Sequence, residues 1–227
     1  NFLNKFKERR FYLILQGKSR EENTQFKFSE LKETLQKKPL KQLEQKYDTY
    51  EYKSGAVYTG QWLGGLRHGQ GKMQWPNNVV YQGMWSYGYA EGEGLLTYPT
   101  GDYMKGKFIN GKLNGFGTFS WKNGCIYSGF YKNDLKNGFG VFLWKTKPLL
   151  AFAGFWVDGK QNGIGIKIKN KEESSFGLWK EGKLQNWLSG FWESEKYFKH
   201  DQLKYKSFFK KEPIHLLKMF HVLDKDK

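Results

Sequence analysis

The chain has 227 residues, is 19% aromatic but only 38% hydrophobic, contains 27 glycines and carries a formal net charge of +16. Its single cysteine, Cys125, rules out an internal disulfide and suits a reducing compartment. The longest apolar run, Leu149 to Val157, falls well short of the roughly 20 residues of a membrane-spanning helix, so a soluble or peripheral protein is expected.

The sequence opens at Asn1 and not at methionine, as a processed or partial product would. Residues 1–45 read as a basic N-terminal arm with short helices. Phe2 to Leu15 mixes basic and apolar residues with poor helical periodicity. It suits an anchor for a membrane surface or a partner groove, and equally a strand or an extended arm. A mitochondrial targeting remnant is a third reading, weakened by Glu8, Glu21 and Glu22. Ser29 to Lys38 predicts a short helix with Leu31 and Leu35 on one side; Pro39 ends it or opens the next, with Leu40 and Leu43 continuing to Tyr47. One reading folds these helices back over the open edge of the first hairpin.

From 46 to 190 the chain is an array of about six units. A marker glycine recurs every 23 residues at Gly60, Gly83, Gly106 and Gly129, and after a two-residue insertion near Pro148 at Gly154 and Gly177. Two places before it stand Tyr58, Tyr81, Met104, Tyr127, Phe152 and Ser175; two places after it stand Trp62, Trp85, Phe108, Tyr131, Trp156 and Trp179. A later glycine pair, first Gly69 and Gly71, returns as far as Gly163 and Gly165 and decays to Asn186 and Leu188 in the sixth unit. The same offsets place a half-unit, the returning strand of an earlier hairpin, at about Tyr47 to Lys53.

Parity gives the shape of one unit. Tyr58, Gly60 and Trp62 are two apart and share one face of a strand, as do Gly69, Gly71, Met73 and Trp75 on the next run. Asn110-Gly111 and Asp158-Gly159 mark tight turns inside units; Ser54-Gly55, Asn77-Asn78, Thr100-Gly101 and Asn123-Gly124 mark turns between them. Each unit is therefore a β-hairpin. Glycine on the aromatic face leaves room for a ring to lie flat on the backbone, so aromatics and glycine stand in for the usual aliphatic core.

The Y-x-G-x-W, then G, then G-x-G series, complete in Tyr58 to Gly71 and Tyr81 to Gly94 and nearly so in Phe152 to Gly165, resembles the MORN (membrane occupation and recognition nexus) repeat family. The resemblance covers about two thirds of the chain. It implies a mainly β fold, an elongated, twisted, single-layer antiparallel sheet of tandem hairpins, and a scaffold or adaptor role without chemistry of its own.

Beyond residue 190 lies a basic C-terminal extension. Phe191-Trp192 and Tyr197-Phe198 suggest one last aberrant hairpin, and Pro213 opens a helix with Ile214, Leu217 and Phe220 along one face, expected to cap the last repeat.

The positive surplus is 5 up to residue 45, 8 in the array and 3 beyond it, so it is spread over the molecule. Such a field draws acidic partners: nucleic acid, a phosphoinositide membrane or a microtubule surface. It also suits a solvated face that keeps an aromatic sheet soluble. Nucleic acid ranks below the others, because the aromatics are already committed to the repeat slots.

Signatures of catalysis fail. His68, His200, His215 and His221 lack metal-ligand companions at useful spacing. Gly101 to Lys107 and Gly106 to Lys112 read G-x-x-x-x-G-K, but Phe108 and Leu113 follow where a phosphate loop needs Ser or Thr. Cys125 reads as a turn-adjacent strand residue. No catalytic residue, cofactor, metal or small-molecule substrate is expected.

The expectation is a structural subunit of a large assembly in the cytoplasm, the ciliary axoneme or another cytoskeletal complex, with tubulin or axonemal subunits as partners. One aromatic-lined face would meet a partner chain. The alternatives are a peripheral tether for anionic phospholipid and an accessory subunit of a mitochondrial complex.

Overall fold

The computed structural model describes residues 30, 33, 45–169 and 173–220. Thirteen antiparallel strands follow one another in sequence order in an open sheet, so the chain is mainly β, with short helical turns after the last strand. It divides into two compact units, Asn1–Lys112 and Leu113–Lys227, and each is taken by itself.

In the first unit, β1 (Gln45–Glu51), β2 (Val57–Leu63), β3 (Leu66–Gln74), β4 (Val80–Ser86), β5 (Tyr89–Thr97) and β6 (Tyr103–Ile109) form a meander. Its register is set by glycine. Gly60 faces Gly71, Gly71 faces Gly83, Gly83 faces Gly94, and Gly94 faces Gly106. A bulge follows the marker glycine, between Gly60 and Trp62 and again between Gly83 and Trp85. The tyrosine two places before the marker lies over the glycine pair, and its hydroxyl donates to the carbonyl that the bulge frees: Tyr58 to Gln61 at 2.9 Å, Tyr81 to Met84 at 3.0 Å.

Inside the hairpins the turns carry positive φ at both central residues, 50° and 75° at Asn110-Gly111, which is the geometry that matches strand twist. Even Tyr87 adopts +48° in this position.

The glycine ladder sets a strict steric limit. A Cβ on Gly83 would stand 2.5 Å from the Gly94 Cα and 2.6 Å from the Glu93 carbonyl oxygen, both backbone atoms that cannot swing aside. Gly83→Ala is expected to cost about 3 kcal/mol. Gly115→Ala, where φ is +80° but nothing lies within 4 Å of the new Cβ, is expected to cost only about 1 kcal/mol. Urea unfolding of the two variants checks the order; equal losses would show that the close approach of β4 and β5 is not limiting.

In the second unit β7 (Lys112–Ser120), β8 (Ile126–Lys132), β9 (Leu135–Trp144), β10 (Leu150–Val157), β11 (Lys160–Lys169), β12 (Glu173–Lys180) and β13 (Lys183–Trp187) continue the pattern. The ladder here runs Gly117, Gly129, Gly140, Gly154, Gly165, Gly177. What differs is the reverse face, the one turned away from the glycines. Phe139, Val141, Ala151, Ala153, Phe155, Ile164, Ile166 and Ile168 project there and are buried. Phe209, Leu216, Leu217 and Phe220 of the C-terminal extension cover them.

Three expectations are corrected. The half-unit strand expected at about Tyr47 to Lys53 is β1, but it begins at Gln45, where the sequence continued a helix, and pairs with β2 from Leu63 onward. Phe191 to Phe198 makes no hairpin. Phe191–Ser194 is a helical turn (α1), followed by 3-10 turns and by α2 (Pro213–Met219) with Pro at its start. The Glu193 carboxylate accepts from the Ser189 N–H, and the Ser194 hydroxyl donates to the Phe191 carbonyl at 2.5 Å; these local bonds favour a turn over an extended strand. The extension packs on the face of β9 to β12 rather than as a cap on the last strand. Apart from Glu30 and Glu33, both helical, the expected arm at 1–15 and helices at 29–38 and 40–44 lie outside the described residues.

Candidate interaction surface

The slot residues are packing elements. Tyr58, Trp62, Tyr81, Trp85 and Phe108 in the first unit and Tyr127, Tyr131, Phe152, Trp156 and Trp179 in the second are all buried, as are Gly60, Gly83, Gly106, Gly129, Gly154 and Gly177. The rings close on one another edge to face. Tyr58 meets Trp62 at 4.9 Å and Trp85 at 5.2 Å; Tyr81 meets Trp85 and Phe108, each at 5.1 Å. Tyr127 meets Trp156 at 5.3 Å and Phe152 meets Trp179 at 4.9 Å. Indole N–H groups donate back to the ladder, Trp62 to Asp48 and Trp85 to Gly71. These rings are packed on one another, and on the same face Trp121, Phe142 and Trp144 are more accessible, each half-buried.

Two cations sit on this ring face in one slot, seven residues after the marker glycine. Arg67 holds it in the first unit and Lys136 in the second, with Ala90, Leu113, Gln161 and Leu184 in the other units. Arg67 is 2% exposed, lies 4.6 Å over Trp85, donates to the Gly88 carbonyl at 2.8 Å and pairs with Glu30 at 3.3 Å. Glu33, three residues on, accepts from the Tyr50 hydroxyl at 2.9 Å and from the Lys53 N–H. Lys136 instead stands 4.7 to 5.4 Å from the rings of Trp156, Phe142, Tyr127 and Trp121. Burial pushes its amine down to about 8. Sequence reading missed both residues; the signal was a charge in a slot filled elsewhere by the uncharged Ala90, Leu113, Gln161 and Leu184.

Burial also pushes the tyrosines up, Tyr52 to about 12 and Tyr58, Tyr81, Tyr127 and Tyr131 further. An acid whose folded pKa lies above its unfolded value of 10 stabilises the fold fully below that value and loses the contribution as pH rises through the folded one. Stability is thus expected to be lost between pH 10 and about 12 and beyond, with phenolate absorbance rising together with unfolding. Phenolate signal from most tyrosines with the fold intact would contradict the buried ring row.

The remaining candidates are ordinary. Gly101 to Lys107 and Gly106 to Lys112 run through turns and strands and open no helix. His200 and His215 are exposed, and His221 lies outside the described residues. His68 meets Tyr87 edge to face at 5.4 Å, and burial lowers its pKa. Cys125 is half-buried beside its turn, where its N–H donates to Asn123. Among the described residues no group of His, Cys, Asp or Glu is arranged to hold a metal ion, and no helix is long and apolar enough to cross a membrane. Lys132, Lys145, Lys147, Lys167, Lys180 and Lys183 are exposed on the second unit.

A family model for the MORN repeat matches five consecutive segments, residues 58–80, 81–103, 105–126, 127–147 and 152–170. A search of curated proteins gives no match.

Proposed function

The chain is a MORN repeat protein, and from that premise we propose that it is a non-catalytic scaffold or adaptor in a large assembly, a subunit of the ciliary axoneme or a related cytoskeletal complex. The array at 46–190 serves as the binding body, flanked by the segments 1–45 and 191–227. One observation carries the reading: the repeat side chains are consumed by packing, and the accessible remainder is a lysine-rich surface with half-buried rings at Trp121, Phe142 and Trp144. A surface of that kind attracts acidic macromolecules. Tubulin is an acidic partner of the right character, and the net charge of +16 supplies a field that steers such an encounter.

The test is a native pull-down of the tagged full-length protein at low and moderate salt with bound proteins identified by mass spectrometry, alongside pelleting with microtubules. Recovery of tubulin or axonemal subunits, falling as salt rises, supports the reading. A protein that neither pellets nor co-purifies with such components overturns it.

The same basic surface also favours a second reading, a peripheral tether for anionic phospholipid. It predicts salt-sensitive binding to phosphoinositide vesicles, and failure to bind at low salt removes it. The mitochondrial alternative rests on the N-terminal arm, outside the described residues, and is decided by cell fractionation.

A further inference from the structure

Arg67 and Lys136 lie 69 residues apart, three repeats, in the same slot of the same face. In the first unit the cation is complete. Glu30 reaches Arg67 with both side chains 2% exposed and also accepts from the Ser54 hydroxyl, while Glu33, one helical turn on, takes the Lys53 N–H. In the second unit the slot has its rings but no carboxylate within 4.0 Å of the Lys136 ammonium among the described residues.

The rings around the two slots differ in the same sense. Tyr52 and Trp75, which share one repeat position, are 2% and 3% exposed; Trp121 and Trp144, at the equivalent position in the second unit, are half-buried, as is Phe142. The turn at Lys122 and Asn123 stands where Lys53 and Ser54 stand three repeats earlier. The first unit therefore shows, within one chain, how such a slot is closed. An acidic pair spaced one helical turn apart supplies one carboxylate to the slot cation and the other to the preceding turn.

We propose that the ring face around Lys136 is the docking site for a partner helix that carries two acidic residues three apart, one of which pairs with the Lys136 ammonium as Glu30 pairs with Arg67. The proposal rests on the scaffold reading and gives the chemical class of its partner. A cation held, among the described residues, by π faces alone keeps much of its desolvation penalty, and a carboxylate arriving beside it offsets that penalty in a low-dielectric setting. The lowered amine pKa agrees with that uncompensated state. Lys136 is recessed among four rings, a setting that a single carboxylate on a narrow helix enters more readily than a bulky phosphate headgroup does.

The experiment is selection of helical peptides from a displayed library on the immobilised full chain, followed by titration of the winners against wild type, Lys136→Leu and Lys136→Arg. Both variants copy residues this chain already uses in the slot, Leu113 and Arg67, so both are expected to fold. Winners should carry the acidic pair, bind Lys136→Leu at least about tenfold more weakly, and hold their affinity for Lys136→Arg. They should also raise the titration midpoint of the Lys136 amine, followed by NMR of labelled lysine. Winners lacking the acidic pair, winners indifferent to Lys136→Leu, or no winners at all overturn the proposal while leaving the pull-down result, and with it the scaffold reading, untouched. Lys136-dependent binding to phosphatidylserine vesicles without selection of acidic helices also overturns it, in favour of a lipid ligand.

Discussion

Phe139→Ala is expected to destabilise the second unit by about 4 kcal/mol and to loosen the C-terminal extension with it. Phe139 is fully buried on the reverse face of β9, and five rings meet it: Phe220 at 5.3 Å, Tyr205 at 5.4 Å, and Phe155, Phe208 and Phe209 each at 5.5 Å. Four of the five belong to the extension, so truncation removes the anchor of a whole segment as well as the buried area of one ring. Aromatic pairs add to area burial, and a hole enclosed on several sides cannot collapse cheaply. Chemical denaturation gives the loss, and hydrogen exchange should show amides between Phe208 and Phe220 losing protection. Val157→Ala, at a β10 position 39% exposed, is the control and should stay within about 0.5 kcal/mol. A Phe139→Ala protein with the control's stability would mean that the extension is held elsewhere.

Trp85→Ala is expected to cost the first unit a comparable amount, about 4 kcal/mol, by a different route. The indole is 1% exposed, meets Tyr58 and Tyr81 edge to face, donates to the Gly71 carbonyl at 3.1 Å and underlies the Arg67 guanidinium. Its removal breaks the ring row and takes from a buried cation the nearer of its two π faces, leaving Tyr52 at 5.6 Å. Trp85→Phe, the ring that the next repeat uses at Phe108, should lose only about 1 to 2 kcal/mol, since the hydrogen bond and part of the area go while the edge contacts stay. Urea midpoints that ranked Phe below Ala, or an unmoved midpoint for Ala, would place the indole outside the core.

The glycine ladder and the rings beside it were legible in the sequence because their spacing is forced. Gly60, Gly71, Gly83 and Gly94 face one another in register, and a side chain would meet the facing backbone at Gly60 and Gly83 and the ring of Tyr58 or Tyr81 at Gly71 and Gly94, so the period of 23 does not slip through this unit. The opposite face obeys no such limit, and so it left only a diffuse trace. Gln70, Lys72, Gln82 and Glu93 project there in the first unit, whereas Val141, Ala153, Phe155 and Ile164 do so in the second. The run from Leu149 to Val157 recorded that change as continuous apolarity. Read by length alone it bore on membrane spanning, while its physical meaning is a strand covered on both sides. Glu30 and Arg67 were illegible for another reason: a pair 37 residues apart carries no local signature, and only the fold brings it together.

The contrast between the two faces limits how far the repeats are interchangeable. Their ring-face residues share one pattern, so repeats look like equivalent cassettes that could be shuffled, deleted or duplicated at will. They are equivalent on that face only. Moving the cassette that carries Gln82 and Glu93 into the place of the one that carries Phe155 and Ile164 would preserve every marker glycine, yet set a carboxylate and an amide against the apolar underside of the extension. The displaced cassette would carry its phenyl and isoleucine into water. Each repeat therefore has an address written on its back, and a library of permuted arrays should return order-dependent solubility despite an unchanged consensus.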